Sequence, residues 1–113
     1  LPDSNPNGDI FGGWILSQMD LAGASRAYQY VGGRIVTVGL EAMSFHKPVF
    51  LGDQVSFYTK VSKVGRTSVT IHVESWALRH TYGRDVKYIK VTEGFYTYVH
   101  IDENRQPAKI NHA

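Results

Sequence analysis

A pair of glycines and one aspartate near the start of the chain are the residue types best suited to chemistry. Gly12 and Gly13 open an apolar run that predicts a helix, and Asp20 lies about two turns further along it. Glycine has no Cβ, so a ligand can approach the backbone closely there, and the first N–H groups of a helix have no intrahelical partner. Such a helix start can bind an anion, or an oxygen that becomes one during a reaction.

Asp20 is a candidate catalytic group because its predicted surroundings are unusual for a carboxylate. Residues three and four positions away share its helix face, and these are small or apolar apart from one serine: Leu16, Ser17, Gly23 and Ala24. A charged carboxylate in such surroundings costs free energy, so it is expected to have an ion-pair or hydrogen-bond partner or to take part in a reaction. The residues leave two interpretations open. Asp20 acts in a reaction, or it faces solvent or pairs with a base such as Arg26 or Arg34.

A second polar cluster surrounds a predicted hairpin turn. It consists of Lys63, Arg66, Thr67 and Ser68. A guanidinium fork with neighbouring hydroxyls can hold a phosphate, but the same composition also occurs in a plain surface turn. Upstream of the helix, Asn5 is a turn residue by type. The residues alone do not decide between a binding site and a surface turn.

Composition and motifs exclude several kinds of site. The 113 residues contain no cysteine, which rules out disulfides, thiolate catalysis and Cys-ligated metals. The five histidines show no metal-binding spacing, and no P-loop, dinucleotide fingerprint or G-x-S-x-G motif is present. A net charge of +2 is too small to indicate nucleic acid binding, yet it suits a small anionic ligand. We therefore expect no metal and no nucleic acid partner and, without an apolar run of membrane-spanning length, no membrane partner.

One helix and four strands are predicted to position these groups. The length and the content of 42% hydrophobic and 19% charged residues suit one globular domain. Apolar spacing predicts a helix over 11–31, ended by Gly32 and Gly33. Alternation of β-branched and aromatic residues predicts strands over 34–46, 54–63, 67–79 and 87–101, with loops or turns at 1–10, 48–53, 64–66 and 80–85. This order predicts an α+β fold with an antiparallel meander or a related sheet.

The same alternation assigns side chains to the two faces of the sheet. In the last strand, one face carries Ile89, Val91, Phe95, Val99 and Ile101, and the other carries Tyr88, Thr92, Tyr96 and Tyr98. The helix must bury its apolar surface against one face. We expect the tyrosine-bearing face to meet another subunit, because aromatic residues are enriched at interfaces.

One run of sequence is specific enough to indicate a family. It reads Asn-x-x-Gly-Asp-Ile-Phe-Gly-Gly-Trp over 5–14, then Ser-Gln-Met-Asp over 17–20 and Ala-Gly-Ala over 22–24. Weaker matches follow in the right order: Arg34-Ile35-Val36-Thr37-Val38, Phe45, Lys47-Pro48-Val49, Gly52-Asp53, Lys63-Val64-Gly65-Arg66-Thr67-Ser68 and Ala108. Over almost its whole length, the chain resembles the YciA-like acyl-CoA thioesterases of the hotdog-fold superfamily.

The resemblance implies a hotdog fold, in which a curved antiparallel sheet wraps a long central helix, over a single domain at 1–113. The family pattern has five strands, the first of them before the helix. We expect that strand to lie upstream or to end at Leu1 and Pro2. The resemblance also implies a homodimer with a continuous sheet, often assembled as a trimer of dimers. We expect a cytoplasmic protein with no cofactor, since coenzyme A is part of the substrate and product.

The implied activity is hydrolysis of an acyl-CoA thioester to a free acid and coenzyme A. By resemblance, Asp20 is the catalytic acid, Asn5 helps position water or substrate, and backbone N–H groups near Gly12 and Gly13 form an oxyanion hole. The site would lie between subunits, so Asp20 and Asn5 would act from different chains. The residues implied to contact the nucleotide end of coenzyme A are Lys63, Arg66, Thr67 and Ser68.

The sequence leaves the mechanism and two other functions open. Asp20 would act as a general base on water, or attack directly to give a mixed anhydride. The alternatives to an enzyme are a non-catalytic hotdog domain that binds acyl-CoA and a hotdog domain that only assembles subunits. The first alternative predicts coenzyme A binding without turnover, and the second predicts no affinity for coenzyme A.

Overall fold

The described part of the chain forms one helix against a four-stranded sheet, with a short two-stranded sheet beside it. The structure is a computed structural model that describes residues 9–10 and 12–111. The elements follow in the order β1 (Asp9–Ile10), α1 (Gly12–Val31), β2 (Ile35–Phe45), β3 (Val49–Phe50), β4 (Gln54–Val64), β5 (Ser68–His80) and β6 (Val86–His100). The larger sheet has the strand order β2-β6-β5-β4, with every neighbouring pair antiparallel. A helix packed on a curved antiparallel sheet is the predicted hotdog arrangement.

Helix α1 begins one residue after its predicted start and ends where predicted. Its buried residues recur every four positions, which gives one stripe facing the sheet: Ile15, Met19, Gly23 and Ala27. Gly32 ends the helix with a φ of +73°, and its N–H donates to the Tyr28 carbonyl at 2.8 Å. A left-handed residue after the last turn is favoured as glycine because it carries no Cβ.

The core lies between α1 and one face of the sheet, which we call the inner face; the opposite side is the outer face. β5 alternates along its length, and its inner residues are each 0% exposed: Val69, Ile71, Val73, Ser75 and Ala77. The predicted alternation of this strand is confirmed. The hairpin turns predicted at 64–66 and 80–85 are also present, and they join β4 to β5 and β5 to β6. Among the described residues, no helix has the length and apolarity that a membrane crossing needs.

In the second half of β6, the side chains lie on the opposite face of the sheet from the one predicted. Its ladder with β5 shifts beside Ser75, which leaves Val91 as an extra residue in β6. A bulge of this kind moves all later side chains to the other face. The prediction that the tyrosine-bearing side of β6 is the outer face is therefore wrong for one threonine and two tyrosines, which are buried on the inner face: Thr92, Tyr96 and Tyr98.

Two short strands lie where the sequence predicts only loops. β3 falls within the predicted turn at 48–53 and pairs with β1, placing Ile10 opposite Val49 and Asp9 opposite Phe50. Strands of two residues are too short for a period of two to be detected. This pair ties the segment that precedes α1 to the loop that follows β2. The strand end expected at Leu1 and Pro2 lies outside the described residues.

Candidate active site

Asp20 is held by hydroxyl groups from two strands of the sheet. Its Oδ1 accepts a hydrogen bond from the Thr37 hydroxyl of β2 at 2.9 Å and lies 3.1 Å from the Tyr98 hydroxyl of β6. The Tyr98 hydroxyl also lies 2.9 Å from the main-chain carbonyl of Asp20, so its proton is shared between two acceptors. The pairing with Arg26 or Arg34 that the sequence left open does not occur among residues 12–111.

The geometry leaves one oxygen of Asp20 available for chemistry. Both hydroxyls contact Oδ1, and within the part of the chain that the structure describes no donor contacts Oδ2. The residue is partly exposed, so water or a substrate can reach this oxygen. A carboxylate with one fixed and one free oxygen can take a proton from water or attack a carbonyl carbon.

Two buried tyrosines join α1 to β6 around Asp20. The Tyr96 hydroxyl donates to the Leu16 carbonyl at 2.8 Å, one helical turn before the Tyr98 contact. Burial, and then the nearby Asp20 charge, raise the pKa of Tyr96 to about 12, and the same two causes raise the pKa of Tyr98. Both phenols therefore keep their protons at neutral pH. A Cβ at Gly23 would overlap the Tyr98 hydroxyl, so glycine makes room for this contact.

Thr37 and Tyr98 were not singled out from the sequence as site residues. Thr37 lies 17 residues and Tyr98 lies 78 residues from Asp20, so no local spacing links them. The resemblance covered Thr37 only as one position in a weak motif. The alternation pattern placed Tyr98 on the wrong face, because the bulge at Val91 has no signal in a single sequence.

The glycine pair lies at the exposed start of α1, beside a pocket of about 330 Å³. The pocket is lined by Gly12, Ile15, Phe45, His46, Lys47, Pro48, Val49 and Thr92. A Cβ added at Gly12 would lie 3.4 Å from the Phe45 ring, whereas a Cβ at Gly13 would meet no described atom within 4 Å. The first N–H groups of a helix have no intrahelical partner, and both glycines are exposed, so an incoming oxygen can approach this helix start. Asn5 lies outside the described residues.

Asp20 and the glycine pair do not form one site within a single chain. Eight helical residues separate Asp20 from Gly12, which corresponds to ~12 Å along the axis of α1. An attacked carbonyl carbon must lie ~3–3.5 Å from the attacking oxygen, while its oxygen lies ~3 Å from the N–H donors. A carbonyl bound at Gly12 is therefore out of reach of Asp20 in the same chain.

The predicted phosphate-binding residues lie at the end of the sheet remote from Gly12. The Thr67 carbonyl accepts the His100 N–H at 2.8 Å, and Thr92, which borders the pocket at Gly12, lies eight residues earlier in β6. That spacing corresponds to ~26 Å along a strand. Lys63 and Ser68 border one depression of about 470 Å³, and Arg66 is exposed in the turn between them. The structure groups these residues near one another, but not with Gly12 and Gly13.

A second carboxylate, Glu93, lies on the outer face in very different surroundings. Its oxygens lie 2.5 Å from the Lys90 ammonium, 3.0 Å from His46 Nε2 and 3.4 Å from His72 Nε2. The hydrogen bond from Lys90, followed by that from His46, lowers the pKa of Glu93 to about 2. Lys90 also pairs with Glu74 at 3.2 Å. Among the described residues, no group of three or more His, Asp or Glu side chains is arranged to hold a metal ion.

Comparison with known proteins gives a consistent result. A sequence model of the thioesterase superfamily matches residues 7–83. The acyl-CoA thioester hydrolase YciA of Escherichia coli is 43% identical over 108 residues, which are 96% of this chain and 82% of that protein. A crystal structure of a hexameric hotdog fold thioesterase of Campylobacter jejuni has a TM-score of 0.91 and 43% identity, covering 97% of this chain and 83% of the other.

A further solved structure concerns a hexameric broad specificity acyl-coenzyme A thioesterase, in an aspartate-to-alanine mutant form. It has a TM-score of 0.90 and 43% identity, and the match covers 97% of this chain and 79% of the other. The family model covers more than half of the chain, and the similarity to YciA extends over nearly all of it. The chain therefore belongs to the thioesterase superfamily.

Proposed function

We propose that this protein is an acyl-CoA thioester hydrolase that releases a free acid and coenzyme A, with Asp20 as its catalytic carboxylate. The observation that carries the proposal is the hydrogen bonding of the two Asp20 carboxylate oxygens. Its Oδ1 is fixed by two neutral hydroxyl groups, and its Oδ2 is left without a donor among the described residues. The names of the similar proteins, acyl-CoA thioester hydrolase and acyl-coenzyme A thioesterase, agree with this activity.

The site forms between two protomers, with Asp20 of one protomer facing the start of α1 of the other. The ~12 Å that separates Asp20 from Gly12 within one chain requires this arrangement if both act on one carbonyl. β2 is an edge strand of the described sheet and can pair with a second copy. Apolar side chains of β2 and α1 are exposed nearby: Leu21 at 64%, Val38 at 58% and Leu40 at 43%. A homodimer, assembled as a trimer of dimers, accords with the hexameric relatives.

The N–H groups of Gly12 and Gly13 hold the thioester carbonyl oxygen and stabilise the negative charge that develops on it. Loss of one such donor typically costs about 3 kcal/mol of transition-state stabilisation. The positive end of the helix dipole adds to the effect. Asn5, preceding the same helix, positions water or substrate. These roles follow from the family resemblance and from the accessibility of the helix start.

Two routes remain for Asp20. As a general base, Oδ2 takes a proton from water, whose oxygen attacks the carbonyl carbon; the C–S bond then breaks and the proton passes to the sulfur. As a nucleophile, Oδ2 bonds to the carbonyl carbon and displaces the thiolate, and water hydrolyses the resulting anhydride. Water that attacks the side-chain carboxyl carbon of the anhydride leaves its oxygen on Asp20, so label in the Asp20 side chain after a single turnover in oxygen-18 water identifies the second route.

The hairpin residues contact the nucleotide end of coenzyme A in this proposal. Lys63 and Ser68 border the same depression, and Arg66 is exposed beside it, so a phosphate could meet a cation and a hydroxyl together. The chain acts as one domain over 1–113 and uses no cofactor, since coenzyme A is part of the substrate and of the product. A cytoplasmic location remains a prediction.

The direct test is thiol release from a panel of short to long acyl-CoAs by the parent protein and by Asp20→Ala. We expect turnover by the parent and at least a ~100-fold lower kcat for a folded, oligomeric Asp20→Ala variant, as for loss of an acid–base group. Coenzyme A binding without thiol release from any substrate would instead identify a binding domain. Absence of both binding and turnover would leave only an assembly role.

A further inference from the structure

A buried ion pair connects the end of β5 to the loop after β2. The Asp53 side chain is only 3% exposed, and its Oδ2 lies 2.6 Å from Arg79 Nη2. Arg79 Nε adds contacts of 3.0 Å to Oδ1 and 3.3 Å to Oδ2. The guanidinium therefore contacts both carboxylate oxygens, and these contacts fix the orientation of the guanidinium as well as its position.

The same two side chains hold the main chain of the loop. Arg79 Nη2 donates to the Pro48 carbonyl at 3.1 Å, and Asp53 Oδ2 accepts the Phe50 N–H at 2.9 Å. The guanidinium carbon also lies 4.1 Å from the centre of the Phe50 ring. Burial alone would raise the pKa of Asp53, but the hydrogen bonds from Arg79 and Phe50 and the Arg79 charge lower it. The carboxylate is thus ionised at neutral pH.

This loop is joined in turn to the start of α1. Val49 and Phe50 form β3, which pairs with β1, and α1 begins at Gly12, two residues after the end of β1. Pro48 and Val49 also form part of the wall of the pocket that Gly12 borders. Hydrogen bonds and strand pairing therefore run from Arg79 through β3 to β1, and the chain itself leads from β1 into the helix start.

We propose that Asp53 and Arg79 are positioning residues for the reaction: they set the place of the Gly12–Gly13 backbone and of the Pro48 wall without touching the substrate. The inference depends on the proposed function, in which that backbone holds the thioester oxygen. At the helix start, a Cβ on Gly12 would meet only the Phe45 ring among the described residues, and a Cβ on Gly13 would meet no described atom within 4 Å. An oxyanion hole acts only when its donors are held within ~0.5 Å of the productive geometry. The tether through β1 and β3 supplies that constraint.

The test compares Arg79→Met, Asp53→Asn and Arg79→Lys with Lys90→Met as the matched control. Lys90 also pairs with carboxylates on the sheet, but it does so on the outer face, contacts neither Asp53 nor Arg79, and among the described residues reaches the loop only through Glu93 and His46. We expect Arg79→Met and Asp53→Asn to lower kcat ~10- to 100-fold with KM changed less than about threefold, because misplacement affects the transition state most. Arg79→Lys should recover part of kcat, since it retains the charge but lacks the fork. Lys90→Met should leave kcat within about threefold of the parent.

Hydrogen exchange of the intact oligomers provides a second readout that needs no activity. Residues 9–16 and 47–53 should exchange faster in Arg79→Met, whereas β6 should be unchanged. Equal losses of kcat in Arg79→Met and Lys90→Met, or losses that only follow the folded fraction, would overturn the inference. If the parent releases no thiol, the proposed function fails, and exchange decides alone: unchanged exchange at residues 9–16 then contradicts the tether.

Discussion

Asp20 and Glu93 are two carboxylates attached to the same sheet, but their surroundings differ in kind. Asp20 lies at the inner face and contacts two neutral hydroxyls, both at one oxygen. Glu93 lies on the outer face, where one ammonium and two imidazoles contact its two oxygens. The outer carboxylate is ionised and paired, and its pKa is lowered to about 2, so it is a poor proton acceptor.

Under the proposed function, this difference separates a structural carboxylate from a reactive one. The Lys90 ammonium compensates the charge of Glu93, and two imidazoles contact its oxygens, in a network that joins side chains of the folded state. Neutral donors at Asp20 orient the group but leave its charge and its second oxygen for a reaction. The distinction depends on the type and direction of the partners, since both side chains are partly exposed.

The largest expected effect comes from converting each carboxylate to its amide. Asp20→Asn should lower kcat at least ~100-fold, because an amide neither accepts the proton nor attacks the carbonyl. Glu93→Gln should leave kcat within about threefold while lowering the unfolding midpoint. The measurement is steady-state thiol release with thermal unfolding of both variants. Comparable losses of kcat in the two variants would remove the functional distinction between the two carboxylates.

Removing one hydroxyl donor at Asp20 should have a smaller effect. Thr37→Val and Tyr98→Phe should each lower kcat about tenfold, since a hydrogen bond to a charged group contributes ~1.5–3 kcal/mol and the other donor remains. Thr37→Ser keeps a hydroxyl and should stay within about twofold of the parent. Steady-state kinetics of the three variants decides the point. A Thr37→Val variant as active as Thr37→Ser would show that the hydroxyl does not orient Asp20.

The smallest effect concerns acid stability and the outer carboxylate. The pKa of Glu93 is about 2, below its usual 4.5, so its ion pairs stabilise the fold above pH 4.5 and lose this contribution as pH falls towards about 2. The difference in unfolding midpoint between the parent and Glu93→Gln should therefore shrink across that interval. Asp53, whose pKa is also lowered, pairs with Arg79 and not with this network, so its contribution is the same in both proteins and cancels. A difference that stays constant down to pH 2 would contradict this assignment.

The sequence predicted the elements of the fold more fully than it predicted the contacts between them. The helix and the four long strands follow from apolar spacing, and the structure confirms all five within one residue at every end. The bulge at Val91 and the β1–β3 pair depend on long-range pairing, which leaves no local pattern. These two features decide which face Tyr98 occupies and what holds the start of α1.

The candidate site was predicted in the same uneven way. Asp20, Gly12 and Gly13 could be named from a local motif, because their chemistry depends on their own helix. Thr37 and Tyr98, which orient Asp20, come from strands distant in the sequence, and no single-chain pattern indicates them. The motif by itself does not show how far Asp20 lies from the helix start. That distance follows from eight residues at 1.5 Å each once the predicted helix is assumed.

The most direct test of the account is complementation between two inactive variants, because its central claim is that Asp20 of one protomer acts with the helix start of another. Asp20→Ala removes the carboxylate. Gly13→Val should block access to the N–H groups of the helix start. A Cβ at this position would meet no described atom within 4 Å, so the variant should fold normally. The two variants would be coexpressed with different tags, and the doubly tagged oligomers assayed for thiol release against each variant alone.

A mixed dimer contains one Asp20→Ala protomer and one Gly13→Val protomer. If the site is shared between protomers, one of the two sites in each mixed dimer contains both unmutated groups. Random pairing should then restore about a quarter of the parent activity, since half of the dimers are mixed and each has one intact site of two. If Asp20 and the glycine backbone instead act within one protomer, every protomer carries a defect, and the mixture should show no more activity than the separate variants. That result would contradict the account.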